Sequence, residues 1–418
     1  MSQDGPGSPG GEGEDAAGPG QAGGFAHTPV LLAEVLRFLQ PRPGQTVVDA
    51  TLGGGGHAAA LVDALAPGGR LVGIDRDPAA IRAAASRLQG RAAAAAVRLD
   101  LVRANYAHLA RELDRLGLPL VDGVLFDCGV SSPQLDDPER GFTYRADAAL
   151  DMRMDPDQTL SAYHLVNGLS EDELAGVIRR YGEERWAARI AAHVVRRRRE
   201  RGLIATTGEL VDVITAAVPA PARRHGPHPA RRTFQALRIA VNGELDALEA
   251  GLRVAAARLR PGGRVVALSF HSLEDRIVKH VFRELSRGCI CPPDWPVCRC
   301  GRAATLSALA GHPVQPDVDE VRRNPRARSA KLRAALRLPA APPAEGDELP
   351  IPAGDQAGGS RDAGADAADG AGEDPDGGRA PVGPASIARP LKPLAVATSL
   401  SPLRPPARTR AGRPDPGP

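Results

Sequence analysis

Aromatic residues are scarce in this 418-residue chain: 7 Phe, 4 Tyr and 2 Trp, all between Phe25 and Trp295. Both ends lack them altogether. Residues 1–24 hold 9 Gly and 3 Pro, and 43 of the last 78 residues, 341–418, are Ala, Pro or Gly. Neither stretch carries the apolar surface needed to offset the entropy of ordering a backbone. Residues 1–24 and 339–418 are therefore read as disordered tails, the second segregating its acids (341–380) from its bases (381–418). Long apolar runs are missing too: nothing approaches the ~18 residues that span a bilayer. The N-terminus has acids and glycines where a secretory signal would have a basic segment and then an apolar one. The expectations are a cytoplasmic location and no membrane partner. Cysteine is sparse and odd in number, 5 in all. Four of these crowd together as Cys289, Cys291, Cys298 and Cys300, which is not the disulfide framework of a secreted domain. The net charge of +3 favours no class of partner, but the cations come in runs.

What remains, residues 25–338, is enough for one large domain or a domain with an insertion. Strand patterns appear at 46–50, 70–75, 94–100 and 121–127, with helical stretches between them. That alternation predicts an α/β fold with a parallel sheet covered on both faces, its ligand crevice at the carboxyl ends of the strands. From about residue 135 the strands stop. Residues 159–201 and 206–218 read as helices, and strand pattern returns only at 264–270, after a helix closed by Pro261-Gly262-Gly263. The reading is a core in two parts, 25–134 and 241–338, interrupted by a helical insertion at 135–240.

After the first strand comes Gly53-Gly54-Gly55-Gly56-His57-Ala58, a glycine loop opening a helix. Glycines let the backbone approach a ligand, and the helix start offers free N–H donors. Asp75, at the end of the next strand, is placed to accept both hydroxyls of a ribose. These features fit either a dinucleotide or an S-adenosyl cofactor. Asp49 tilts the balance, because a carboxylate just before the glycines repels a pyrophosphate and suits an ammonium group. Asp127 ends the fourth strand, where a further acid is placed either to hold the adenine amino group or to face the substrate.

Further along, the motifs become specific. They are His27-Thr28-Pro29-Val30-Leu31-Leu32, Asp127-Cys128-Gly129-Val130-Ser131-Ser132-Pro133-Gln134, Leu150-Asp151-Met152-Arg153-Met154-Asp155, Thr233-Phe234-Gln235-Ala236-Leu237-Arg238 and Ser269-Phe270-His271-Ser272-Leu273-Glu274-Asp275-Arg276. Together, from His27 to Leu338, they closely resemble the bacterial ribosomal RNA small subunit methyltransferase H family. The resemblance implies a Rossmann-like core dependent on S-adenosylmethionine with a helical insertion for RNA recognition. It also implies methyl transfer to N4 of a cytidine in the decoding region of 16S rRNA. Carried onto matching positions, it makes Gly55, Gly56 and His57 the cofactor loop and Asp75 the ribose ligand. Tyr106 becomes an aromatic beside the cofactor, and Asp127 and Gln134 become further contacts. The small ribosomal subunit is the implied partner; a homodimer is left open.

Many amino-methyltransferases end the fourth strand with a doubled proline and an aromatic, which this chain lacks. Asp127, Ser131 and Ser132 are the candidates to lie beside the target amino group, and His271 is either a proton shuttle or a structural histidine. Backbone affinity for RNA needs cations. The candidates are Arg196 to Arg201, Arg223-Arg224, Arg231-Arg232, and Arg322, Arg323, Arg326 and Arg328 with Lys331. The chemistry calls for no metal. The four clustered cysteines suit tetrahedral zinc in type, but Cys-x-Cys is tighter than the usual spacing, and unligated thiols are the alternative. Cys128 is read as a small packing residue.

Overall fold

The computed structural model describes residues 29–131, 134, 137–224, 227–292 and 294–339. Residues 1–24 and 340–418 of the tails, His27, Thr28 and Ser132 lie outside the described residues. Among the described residues, seven strands form one sheet in the order β3-β2-β1-β4-β5-β7-β6. β1 (Thr46–Asp49), β2 (Arg70–Asp75), β3 (Arg98–Arg103), β4 (Val121–Asp127) and β5 (Leu259–Ser269) are parallel. β7 (Lys331–Arg337) runs antiparallel between β5 and β6 (Leu306–Ala308).

Side chains alternate across the sheet. Val47, Leu71 and Leu125 enter one buried cluster, with α1 (Leu32–Leu39), α2 (Gly56–Leu65) and α3 (Pro78–Ala94). Val48, Val72 and Val124 enter the other, on the face that also receives α4 (Leu109–Arg115) and the later helices. Burial on both faces is why these strands read as unbroken apolar runs. The order of the strands reverses between β1 and β4, so the crevice opens where Asp49 and Asp127 end neighbouring strands.

The helices between β4 and β5 carry a third core of their own, including Met152, Leu165, Ile178, Ile190 and Phe234. They are α5 (Ala162–Gly168), α6 (Glu171–Gly182), α7 (Ala187–Arg201), α8 (Thr207–Ala217), α9 (Ala220–Arg224) and α10 (Ala230–Asn242). α11 (Glu244–Arg258) leads back to β5, and α12 (Ser272–Leu285) and α13 (Val318–Arg323) follow.

Four expectations need correction. The third strand begins at Arg98, because the alanines to Ala94 continue α3; alanine is the strongest helix former. The helical stretch 159–201 is three helices: Ser170 starts α6 with a reciprocal cap to Glu173, and Glu183 ends it at φ 50°. β5 starts at Leu259, with Pro261-Gly262-Gly263 as an irregularity against β4 within the strand. Finally, the sheet is mixed, since β7 pairs antiparallel with β5 and β6; of this strand only Lys331 is singled out in the sequence, as a cation. No described helix is long and apolar enough to cross a membrane.

Asn242 ties the insertion to the core. Its Oδ1 accepts from Met154 N–H (2.8 Å), while its Nδ2 donates to the carbonyls of Met152 (2.8 Å) and Arg238 (2.9 Å). Arg76, just past β2, donates to the Asn242 carbonyl at 2.8 Å. Truncation leaves the Met154 donor and the Met152 acceptor unpaired, at about 1–3 kcal/mol for each buried group. Asn242→Ala is expected to lower stability by about 2–4 kcal/mol, read as a fall in the urea midpoint; an unchanged midpoint would refute the anchoring role.

Candidate active site

A cavity of about 800 Å³ lies at the carboxyl ends of β1, β2 and β4, closed on one side by the helical insertion. Its floor is held by carboxylates that grip the main chain. Asp75 Oδ2 accepts from Gly53 N–H (2.9 Å) and its Oδ1 from Asp77 N–H (2.8 Å). One side chain thus fixes both the glycine loop and the start of α3. Gly53 has φ +50° and Gly55 φ +75°, conformations that side chains rarely adopt. Burial raises the Asp75 pKa above the ordinary carboxylate range, against the two N–H donors that lower it.

Buried Asp49 and His57 form an ionisable cluster with the half-buried Asp127. His57 sits in the first turn of α2, with Nε2 3.0 Å from the Val30 carbonyl and Nδ1 3.3 Å from Asp127 Oδ2. Burial works against its protonation, but Asp127 and then Asp49 outweigh that and hold its pKa above the usual value. Asp49 is 1% exposed and does not line the cavity; its Oδ1 accepts from Thr51 N–H. Burial pushes its carboxyl up to about 7, with His57 pulling the other way. Where a contact of Asp49 with a bound ammonium was expected, the structure places a buried carboxyl behind the floor. Asp127 donates its N–H to Thr51 Oγ1 at 2.6 Å, and its Oδ1 is buried with no hydrogen-bond partner. Ser131 Oγ is likewise buried and unpartnered.

Of the residues singled out in the sequence, Gly56, His57, Asp75, Tyr106, Asp127, Ser131 and Gln134 all line the cavity. Gly55 does not: a Cβ there would meet Leu88 at 3.2 Å, so the residue packs α2 against α3. Tyr106 stands edge-on to Phe126, centroids 5.7 Å apart. The Gln134 amide is already engaged, accepting from Ser131 N–H (3.0 Å) and donating to Asp77 Oδ2 (2.9 Å). Arg140 also reaches Asp77, at 2.9 Å. These bonds hold the turn after β4 against the start of α3.

Sequence reasoning missed a buried ionic chain on the opposite wall. Arg238 binds both oxygens of Glu244, at 2.9 and 2.8 Å, and lies 4.0 Å from Glu274. Glu274 is 2% exposed and accepts from Phe270 N–H at 2.8 Å. Although burial raises it, His271 and Arg238 hold its pKa below the usual value. His271 caps α12, its Nδ1 accepting from Glu274 N–H, and its Nε2 lies 3.1 Å from Glu274 Oε1 without the alignment of a hydrogen bond. Arg238 and Glu274 both stood within recognised motifs; what was absent was any sign that helices from two segments would pair them. The insertion adds Tyr144, Phe234 and Arg231 to the wall. Tyr144 stacks on His228, 4.7 Å between centroids, and meets Phe234 edge-on.

The cationic runs separate. Arg197 pairs with Glu209, and Arg198 donates to the carbonyls of Val166 and Leu169, so both hold the insertion together. Lys331 pairs with Asp275. Arg196, Arg199, Arg223 and Arg224 are exposed, and Arg231 and Arg326 reach the cavity.

Comparison with known proteins gives a consistent result. The model of the MraW methylase family matches residues 24–338. The ribosomal RNA small subunit methyltransferase H of Symbiobacterium thermophilum is 56% identical over 316 residues, covering 76% of this chain and 98% of that protein. The protein of the same name from Heliobacterium modesticaldum is 54% identical over 315 residues, 75% of this chain and 99% of its own. That from Pelobacter propionicus is 55% identical over 316 residues, again 75% and 99%.

The buried cluster makes stability depend on pH. A carboxyl raised on folding binds its proton more tightly in the folded state, so its contribution is full below the unfolded pKa and is lost as pH rises through about 7. Asp49→Asn removes that loss. Between pH 5 and 8 the native chain should lose about 2–3 kcal/mol relative to this variant. Paired urea titrations measure it, and parallel curves for the two proteins would contradict it.

Proposed function

We infer the activity from one premise: the chain belongs to the MraW methylase family. It is a methyltransferase that draws its methyl group from S-adenosylmethionine and acts on the RNA of the small ribosomal subunit. The target is N4 of a cytidine in the decoding region of 16S rRNA, and the place of action is the cytoplasm. The observation that carries the reading is the Asp127 carboxylate, with one oxygen buried and unpartnered, at the carboxyl end of β4 in a cavity floored by glycines.

The residues present fit the cofactor. A Cβ at Gly54, which lines the cavity, would meet no atom within 4 Å, so main chain alone faces the ligand there. Asp75 would take the ribose hydroxyls, Gly53, Gly54 and Gly56 the close approach, and Tyr106 an aromatic contact. Gln134 acts by holding the turn that carries Ser131. S-adenosylmethionine, when bound, supplies an electrophilic methyl group.

This chain's part is to present and activate the amino group. N4 of cytosine is a weak nucleophile, because its lone pair is delocalised into the ring. An acceptor on an amino hydrogen localises that pair and takes up developing positive charge. Asp127 Oδ1 is that acceptor, with His57 holding the other carboxylate oxygen and Thr51 the Asp127 main chain. The proton that N4 loses passes to this carboxylate. His271 is a positioning residue, since it caps α12 and braces Glu274. The target base must leave its stack to enter. Tyr144 and Phe234 offer aromatic surface for it, and Arg231 and Arg326 lie where flanking phosphates pass. Residues 135–240 are thus the RNA-recognition insertion, and 25–134 with 241–338 the catalytic core.

The direct experiment uses labelled S-adenosylmethionine and small ribosomal subunits lacking the modification, with mass mapping of the product. N4-methylcytidine in the decoding region is expected, and Asp127→Ala should reduce transfer by about 10²–10⁴-fold. Intact cofactor and subunit binding without transfer would overturn the assignment. Arg231→Ala is expected to raise KM for subunits with kcat retained, and to lower the salt slope of binding by about one. An unaltered salt slope would remove Arg231 from the phosphate contacts.

A further inference from the structure

Between Leu285, the end of α12, and Leu306, the start of β6, the described residues form no regular element and bury no apolar side chain. Ile290, Trp295 and Val297 are 50, 47 and 68% exposed in this segment. Its ends are nonetheless clasped. Thr305 N–H donates to the Leu285 carbonyl at 2.8 Å, and Arg302 donates to that of Glu284 at 2.8 Å. A closed excursion without an apolar core needs another source of order, and small units of this kind use a cross-link or a metal.

The four cysteines supply the groups for one. The two Cys-x-Cys arms face each other, and the sulfurs of Cys289, Cys291, Cys298 and Cys300 all lie within 4.8 Å of one another. Cys298 and Cys300 are 3.5 Å apart, and Cys300 and Cys289 3.8 Å. Tetrahedral coordination with Zn–S bonds of about 2.3 Å sets the sulfurs about 3.8 Å apart. A disulfide needs about 2.05 Å, and all four cysteines are free. Main-chain donors already point at the sulfurs. Ile290 N–H reaches Cys300 Sγ at 3.4 Å and Arg299 N–H reaches Cys291 Sγ at 3.3 Å, each crossing from one arm to the other. Cys291 N–H reaches Cys289 Sγ at 3.4 Å. Such donors favour thiolates, the form that binds metal.

We propose that Cys289, Cys291, Cys298 and Cys300 bind a single zinc ion as a structural site separate from the methyl-transfer cavity. Among the described residues, none of this segment lines that cavity. The tight Cys-x-Cys spacing serves because the arms approach from opposite sides, each contributing two corners of the tetrahedron. Binding is not a redox step: the thiols release their protons to solvent as the Zn–S bonds form. The metal takes the place of a hydrophobic core and holds Trp295 and Arg299 together at the surface, where the guanidinium lies 5.6 Å from the ring centroid.

The test uses the full chain, purified under a thiol reductant without chelator. Elemental analysis is expected to find zinc in equimolar amount. Replacement by cobalt(II) should give the visible bands and thiolate charge-transfer absorption of a tetrahedral sulfur site. The double variant Cys298→Ser/Cys300→Ser should lose both signals while keeping cofactor affinity, the sign that its core has folded. Metal well below equimolar with no cobalt spectrum in the reduced native chain would overturn the proposal. So would iron in place of zinc, or zinc retained in full by the folded double variant.

Discussion

A single carboxylate accepting two main-chain N–H groups underlies the geometry of the site. Asp75 grips Gly53 on one side and Asp77 on the other, so the glycine loop after β1 and the start of α3 after β2 cannot move independently. Asp77 then passes the constraint on, through Gln134 and Arg140, to the turn after β4. Three separate loops are thereby held in register by side chains short enough to leave little slack. Strand pairing brings these chain ends together, but the carboxylates turn a gap in a sheet into a shaped floor.

The insertion closes the cavity by a different means. Its own core makes it a body in its own right, and Arg76, through the Asn242 carbonyl, and the Glu244–Arg238–Glu274 chain bind it to the rest of the fold. These contacts are polar, directional and buried. An apolar seam would tolerate sliding, whereas hydrogen bonds of fixed length specify one position. The wall of the cavity that the insertion supplies is thus set with respect to the floor that the sheet supplies.

Much of this was legible in the sequence. β1, β2 and β4 were visible because buried parallel strands are apolar throughout, and Asp75 and Asp127 because they end such strands. The failures have physical causes. The alanine run before Arg98 carries no period, so only helix propensity decided where α3 ends. β7 hid behind its charges: Lys331 and Arg333 are satisfied by Asp275, a partner more than fifty positions away. Asp49 looked like a ligand contact because its position in the chain says nothing about depth. Arg197 and Arg198 looked like RNA contacts for a related reason, since a run of like charges does not disclose which members bind their own fold. The buried chain from Arg238 to Glu274 depends on the juncture of two segments, and no local pattern encodes that.

The antiparallel strand also sets an order of events during synthesis. β5 is a central strand in the finished sheet, but its neighbour on one side is β7, about seventy residues further along. A nascent chain that has emerged only as far as Leu285 holds the complete insertion and five strands, with the free edge of β5 exposed. Such an edge is a template for pairing with other chains until it is covered. The cysteine segment lies on the stretch that must emerge next. Whatever draws its two arms together shortens the path by which β7 reaches its place, and so limits the time the sheet spends open.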